Sequence, residues 1–392
     1  MNDIAQRMLS EIRDLSSELA ARAAQIEAER RLPADLVQTM RSLGVFRMYV
    51  PRSHGGLELD IEGAMAVVSA LSRIDSSIGW LAGIGATAPL FATRLPRKIF
   101  DEMYSRGPDV IIAGAVQPTG TLEQTAEGWR CSGRWAFASG CLHADWMFGI
   151  GMVSANGSPA NGTNDAGAAP TMRGMMLPAG AWRIEDTWSV AGLEGTGSHH
   201  ISLMNAPVPA SHLFDHINGE SCVAGPLYQA VAPLLAPMGS AVMVGIAEGA
   251  VDAIVAHANT GRQQFRVATA MRDSEIFLHD LGRIEAELRA ARAFHETQVR
   301  ALWQRALEGT LQDDALYLQA CQAAVWIART CVQIGDACFA LGGGAAIYDG
   351  SPLQRRLRDL HVAAQHAAVH PRHYVSAGKL LLRREHPIVS GS

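Results

Sequence analysis

Apolar positions recur at helical spacing through the first hundred residues. Ile4, Met8, Ile12, Leu15 and Leu19 fall three or four apart and so share one helix face. Pro33 is placed to open a second helix running to Leu43, and Gly44 to stop it. The stretch GVFRMYVPRSHGGLELD reads as a connector, broken at Pro51 and Gly55-Gly56. A buried helix follows from Ile61 to Arg73, and Asp75 is a candidate N-cap for a small-residue helix that begins SSIGW. From Val110 the period shortens. Val110 to Gln117 predicts a buried strand ending at Pro118, with further strands at 128–138, 146–153, 173–177 and 199–208 between glycine-rich turns. The segment SANGSPANGTNDAGAAP (154–170) has few large apolar residues and reads as an exposed loop. Beyond Pro226 the pattern is helical again, over 233–260, 271–308, 312–341 and 353–382, which describes an up-and-down bundle of four helices. The chain is thus mainly α with an inserted β domain. A helical domain spans 1–109, a middle β domain 110–220 and a C-terminal four-helix bundle 221–392.

Composition narrows the function. With 392 residues, 48% hydrophobic and 18% charged, the chain can bury a large core. A net charge of −5 argues against nucleic acid or an anionic membrane as partner. No uninterrupted apolar run approaches the ~20 residues that span a bilayer. The N-terminal stretch lacks an apolar signal core, so a cytoplasmic location is expected. The six cysteines show no metal-binding spacing. There is no GxGxxG after a strand and no GxxxxGK[ST], so neither a Rossmann site nor a P-loop is supported. Gly342 to Gly344 follow a helix and read as its C-cap. His199 and His200 point to opposite faces of a strand, which argues against a metal pair.

The richest stretch is WRCSGRWAFASGCLHADW, from Trp129 to Trp146. Its first half alternates as a strand and then breaks into Ala138-Ser139-Gly140-Cys141. Small residues there let a planar ligand approach the backbone, and Ser139 offers both a donor and an acceptor. The pattern SGxWxFxSGxxxADW resembles the flavin-dependent monooxygenases built on the acyl-CoA dehydrogenase fold. These are the oxygenase components of two-component systems that hydroxylate phenols, indoles or sulfur heterocycles.

The resemblance implies an acyl-CoA dehydrogenase-like architecture over nearly the whole chain, with a barrel-like middle domain and the flavin between that domain and the bundle. It implies flavin-ring contacts from Gln117 and Thr119, in QPTG, and a place for Ser139 near flavin N5. In WSVAGLEGTGSHHISLMNAPVP it assigns Trp188 to shield the ring, and Thr196 and Ser198 to offer hydrogen bonds. Arg262 and Phe265, in GRQQFR, are assigned to the cofactor, with Arg262 placed against the flavin phosphate from a neighbouring subunit of a homotetramer. Trp80 marks the helix that lines the substrate pocket. Ala88 stands eight residues later, where phenol hydroxylases of this type often carry a histidine, so an indole, a sulfur heterocycle, an amine or a polycyclic aromatic is favoured over a phenol.

Two positions separate the branches of that superfamily. Where dehydrogenases carry a glutamate base eight residues after the aspartate matching Asp359, this chain has Ala367, and the alternative glutamate position falls near Leu235. His366 stands where the monooxygenases place a catalytic histidine. Phe339 replaces a glutamine that contacts FAD, which favours FMN. The expected activity is hydroxylation of an aromatic or heteroaromatic small molecule through a C4a-hydroperoxide, using reduced FMN (or FAD) and O2. No nicotinamide motif is present, so a separate NAD(P)H:flavin reductase is expected to supply the reduced cofactor. The alternative is an acyl-CoA dehydrogenase- or oxidase-like FAD enzyme.

Overall fold

The side chain of Asn2 accepts the Ala5 amide and opens α1 (Asp3–Ala21), whose buried face carries Met8, Ile12 and Leu19. The computed structural model describes residues 2–154, 171–263 and 269–383. The short α2 (Ala23–Glu29) and α3 (Ala34–Leu43) follow, and Gly44 ends α3 with φ +81°, a left-handed cap that glycine adopts without strain. The 44–59 connector contains two short 3₁₀ turns. Asp60 caps α4 (Ile61–Ile74) through the Gly63 amide, and Asp75 caps α5 (Ser76–Ala92) through the amides of Ser77 and Ile78. Helix α5 is buried on nearly every side, as its lack of a polar stripe requires. After α6 (Arg97–Met103) the chain enters the sheet.

Among the described residues seven strands form one mixed sheet: β1 (Ile112–Thr125), β2 (Gly128–Trp135), β3 (Trp146–Ser154), β4 (Met172–Pro178), β5 (Arg183–Glu185), β6 (His200–Val208) and β7 (Leu213–Phe214). Their order is β5-β6-β2-β1-β3-β4-β7. All pairings are antiparallel except β1 with β3. The first strand does not end at Pro118, as its sequence predicts, but runs on to Thr125. Its register against β3 shifts between Ala115 and Gly120, and Pro118 sits inside that irregularity, where a missing N–H does not break the ladder. The loop expected at 154–170 lies, beyond Ser154, outside the described residues.

Trp135 is the centre of the sheet's own core. It is fully buried, its indole N–H donates to the Ile150 carbonyl at 2.9 Å, and its ring meets Trp182 edge-on at 5.3 Å. Gly120, Gly133 and Gly149 make room for it, since a Cβ on any of them would come within 2.2–2.7 Å of a Trp135 ring atom or a neighbouring Cα.

The C-terminal part consists of α7 (Ala232–Ala258), α8 (Glu275–Leu307), α9 (Asp314–Gly342), α10 (Pro352–Ala363) and α11 (Arg372–Arg383). Its helices and those before the sheet share one continuous apolar core. Gly245 of α7 lies so close to α4 that a Cβ there would be 2.2 Å from the Ser69 carbonyl oxygen. Among the described residues two helices, Ala232–Ala258 and Asp314–Ala345, are long and apolar enough to cross a membrane, but 83% and 50% of their most apolar windows are buried inside the protein.

The single helix expected over 353–382 is a correction. Helix α10 ends at Ala363, a 3₁₀ turn follows over Ala367–Val369, and α11 starts at Arg372. Pro371 accounts for the far side of the break, where α11 restarts. It has no N–H to continue a helix and biases His370 towards extended backbone, observed at φ −72°, ψ 134°. His366 therefore caps a turn and does not sit within a helix.

His295 on α8 lines a groove of about 1090 Å³ together with residues of α1, α4 and α7, and its Nδ1 lies 2.8 Å from the Ser240 hydroxyl. Burial lowers its pKa to about 4. Between that value and the unfolded value near 6.5, the unfolded chain binds the extra proton and the native chain does not, so stability falls as pH drops through this window. In urea titrations the loss of stability from pH 7.5 to pH 5 should be smaller in His295→Gln than in wild type by about 2 kcal/mol. Equal losses in the two proteins would show that His295 does not titrate this way.

Candidate active site

The site is assembled from α5, the turn after β2, the loop before β6 and the break after α10. Trp80 sits one turn into α5 and is buried, and its indole N–H donates to Ser139 Oγ at 3.1 Å. Ser139 lies in the turn between β2 and β3, where Phe137 has φ +65° and Gly140 φ +76°. Backbone bonds tie this turn to the loop before β6, from Ala138 N–H to the His199 carbonyl and from Gly140 N–H to the Thr196 carbonyl. Ser139 Oγ is 2.7 Å from Ser198 Oγ, which is 2.7 Å from Thr196 Oγ1. The Thr196 hydroxyl donates to the Leu193 carbonyl at 2.8 Å.

Leu193 is the hub of the loop. Its carbonyl also accepts the Thr196 amide at 3.0 Å and the Trp188 indole N–H at 3.2 Å. Its own φ is +54°, a strained value for leucine, and Asp359 Oδ1 holds it there by accepting its amide at 2.7 Å. Asp359 is buried, and burial pushes its pKa up to about 6 against the lowering effect of the Leu193 amide. Nearby on α10, Arg356 donates to the carbonyls of Ser72, Arg73 and Ile74 and so closes the C-terminus of α4.

His366 meets the Trp80 ring edge-on, with centroids 5.3 Å apart and planes at 79°. Its Nδ1 accepts the Ala368 amide at 3.2 Å, which leaves the ring proton on Nε2. Burial holds its pKa below the ordinary histidine value, so the ring is neutral at pH 7. Trp80 thus lies between Ser139 and His366, two candidates 227 positions apart in the chain.

The other candidates divide. Trp188, Thr196 and Ser198 join the same hydrogen-bonded cluster, Trp188 and Thr196 through the Leu193 carbonyl. Gln117 and Thr119 are exposed on β1, and Thr119 donates to the Arg134 carbonyl at 2.8 Å. Ala88 is buried on α5. Arg262 is exposed in the turn after α7 and makes no ion pair among the described residues; Phe265 lies outside them. His199 accepts the amides of Thr187 and Trp188 at Nδ1, an ordinary structural role. Among the described residues no group of three or more His, Cys, Asp or Glu side chains is gathered for a metal.

Phe137 was not singled out by the sequence, although an aromatic residue in a turn of small ones was the available signal. It is 59% exposed and stands edge-on to Trp188 at 6.3 Å and to His200 at 6.4 Å. The Nδ1 atom of His200 is buried without a hydrogen-bond partner. Exposed Val116 to Thr119 lie on the adjoining strand. An exposed aromatic ring, an open strand surface and an orphaned polar atom fit a planar, polar-edged heterocycle such as a flavin.

Comparison with known proteins agrees with this geometry. Residues 3–93 match the acyl-CoA dehydrogenase N-terminal domain family, and residues 238–371 the acyl-CoA dehydrogenase C-terminal domain family. The chain is 30% identical over 378 residues to a pigment production hydroxylase of Rhodococcus erythropolis, covering 93% of this chain and 92% of that one. The chain belongs to the flavin-dependent monooxygenases of the acyl-CoA dehydrogenase fold. This monooxygenase is also 29% identical over 366 residues to an indole-3-acetate monooxygenase of Pseudomonas putida, covering 93% of this chain and 91% of the relative. Among solved structures it resembles XiaF from Streptomyces sp., determined in complex with FADH2 and glycerol. The TM-score is 0.88 and the identity 25%, over 100% of this chain and 98% of that one.

Proposed function

We propose that the protein is the oxygenase component of a two-component system that uses reduced flavin and O2 to hydroxylate an aromatic or heteroaromatic small molecule. The observation that carries this reading is the cluster around Trp80, with the Ser139 hydroxyl on its indole N–H and the neutral His366 ring at its edge. The rival dehydrogenase chemistry needs a carboxylate base. The two positions where that base would stand are Ala367, exposed at the start of the 3₁₀ turn, and Leu235 on α7.

Bound reduced flavin supplies the activation of O2 and the oxygen-transfer chemistry. Phe137 and Trp188 offer aromatic surface to its ring, Gln117 and Thr119 polar contacts, and Ser139 a hydroxyl at its edge. His366 holds a proton at Nε2 and can donate a hydrogen bond there, while Nδ1 stays committed to the Ala368 amide. The apolar surround of α5, with Trp80 and Ala88, keeps water from the reacting atoms and takes an aromatic substrate. Ala88 provides no hydrogen-bond partner for a phenol hydroxyl, which favours indoles and other heterocycles.

A separate NAD(P)H:flavin reductase delivers the reduced cofactor, FMN or FAD, and the protein works in the cytoplasm. The three chain segments 1–109, 110–220 and 221–392 act as units of a homotetramer. Exposed Ile276, Leu278, Trp326, Tyr348 and Leu382 on the C-terminal part support that assembly. Arg262 reaches the flavin phosphate of a neighbouring subunit.

The test is a reconstituted assay with NADH, a flavin reductase, FMN or FAD, and a panel of indoles, phenols and sulfur heterocycles. Hydroxylated product that requires both the reductase and O2 is expected. Oxidation of an acyl-CoA, with no hydroxylated product from any aromatic, would contradict the reading.

A further inference from the structure

The hydroxyl chain behind Trp80 has a fixed direction. The Thr196 hydroxyl spends its one proton on the Leu193 carbonyl, so Thr196 Oγ1 must accept from Ser198. Ser198, its proton spent, must accept from Ser139. Ser139 in turn accepts the Trp80 indole N–H. All four residues are buried, so water does not scramble the order. Ser139 is left with one lone pair and no proton to offer a ligand.

We propose that Thr196 and Ser198 are positioning residues that set Ser139 as a hydrogen-bond acceptor and thereby favour reduced over oxidised flavin. This rests on the flavin reading of the site above. Reduced flavin presents an N–H at N5, whereas oxidised flavin presents a lone pair there. To donate to oxidised flavin, Ser139 must either give up its bond to Ser198 or have the chain reversed, with Thr196 donating to Ser198 and Ser198 to Ser139. Reversal forfeits the bond from the Thr196 hydroxyl to the Leu193 carbonyl, which keeps only its bonds from the Thr196 amide and the Trp188 indole. One net hydrogen bond corresponds to a preference of roughly three- to ten-fold.

The test compares dissociation constants for oxidised FMN and for anaerobically reduced FMN in wild type, Thr196→Ser and Thr196→Val. Thr196→Ser keeps the hydroxyl and should keep the wild-type ratio. Thr196→Val frees the Ser198 proton, so the ratio of oxidised to reduced dissociation constants should fall by roughly three- to ten-fold, chiefly through tighter oxidised FMN. Ser198→Ala, which leaves Ser139 without its acceptor, should shift the ratio the same way and serves if Thr196→Val does not fold. An unchanged ratio in a folded variant would overturn the relay while leaving the flavin site intact. Wild-type protein that binds neither form of FMN would overturn the flavin reading itself, and the relay with it.

Discussion

Ser139→Ala is expected to fold and to bind reduced flavin, yet to release most of its oxygen as H2O2 instead of hydroxylated product. Ser139 is the one candidate whose side chain links the small-residue turn after β2 with both the Trp80 indole and the Thr196–Ser198 chain. Alanine leaves the Trp80 N–H without its acceptor in a buried setting, and an unmet buried donor costs about 1–3 kcal/mol. It also removes the hydroxyl proposed to meet the flavin edge. If that bond protects the oxygen-transfer step, product per NADH consumed should fall about ten-fold, the equivalent of about 1.4 kcal/mol. H2O2 should rise to balance it. The measurement is product and H2O2 counted per NADH in the reconstituted assay. Full coupling in a folded Ser139→Ala protein would remove Ser139 from the chemistry.

His366→Ala has the second large expected effect. The substitution removes a cap on the Ala368 amide and an edge contact with Trp80, together worth about 1–2 kcal/mol of stability. The effect on turnover should be larger. A hydrogen-bond donor positioned on developing charge typically contributes at least about 10²-fold, so product formation should drop by that order while flavin affinity changes little. The pH profile adds a signature. Because burial depresses the pKa of His366, the neutral ring that carries the Nε2 proton persists below pH 6.5, and a second proton is gained only at more acid pH. That proton would land on Nδ1 and expel the Ala368 amide from it, so wild-type turnover should hold through neutral pH and fall on the acid side, and His366→Ala should lose that acid limb. A mutant with wild-type rate and profile would make His366 a packing residue beside Trp80.

The sequence made some of this site legible and hid the rest, for physical reasons. The SGxWxFxSG block is local: its strand, its turn and its serine lie within a few residues, so the pattern and its resemblance marked Ser139 as a candidate. The hydrogen-bonded cluster is not local. Trp80, Ser139, Ser198 and Thr196 come from three separate elements, and only the folded chain shows that Thr196 fixes the direction of the others. Asp359 entered the sequence reading as a counting landmark, whereas its bond to the Leu193 amide makes it the support of the loop that holds Trp188 and Thr196. Periodicity placed most helices well, because their apolar stripes persist over several turns. It failed after α10, where an apolar pattern continues across Pro371 but the backbone cannot. It failed again at Pro118, where an irregular register lets a strand pass through a proline.

One atom of O2 is expected to end in an aromatic product, with reduced flavin delivered from outside as the reductant. The most direct measurement mixes the protein with photoreduced flavin under ¹⁸O2 in the presence of an indole or related heterocycle, and reads the product by mass spectrometry. A hydroxylated product carrying one ¹⁸O atom, formed without NADH once the flavin is reduced, is expected. Product whose new oxygen comes from water, or flavin oxidation with no oxygenated product from any aromatic tested, would contradict it.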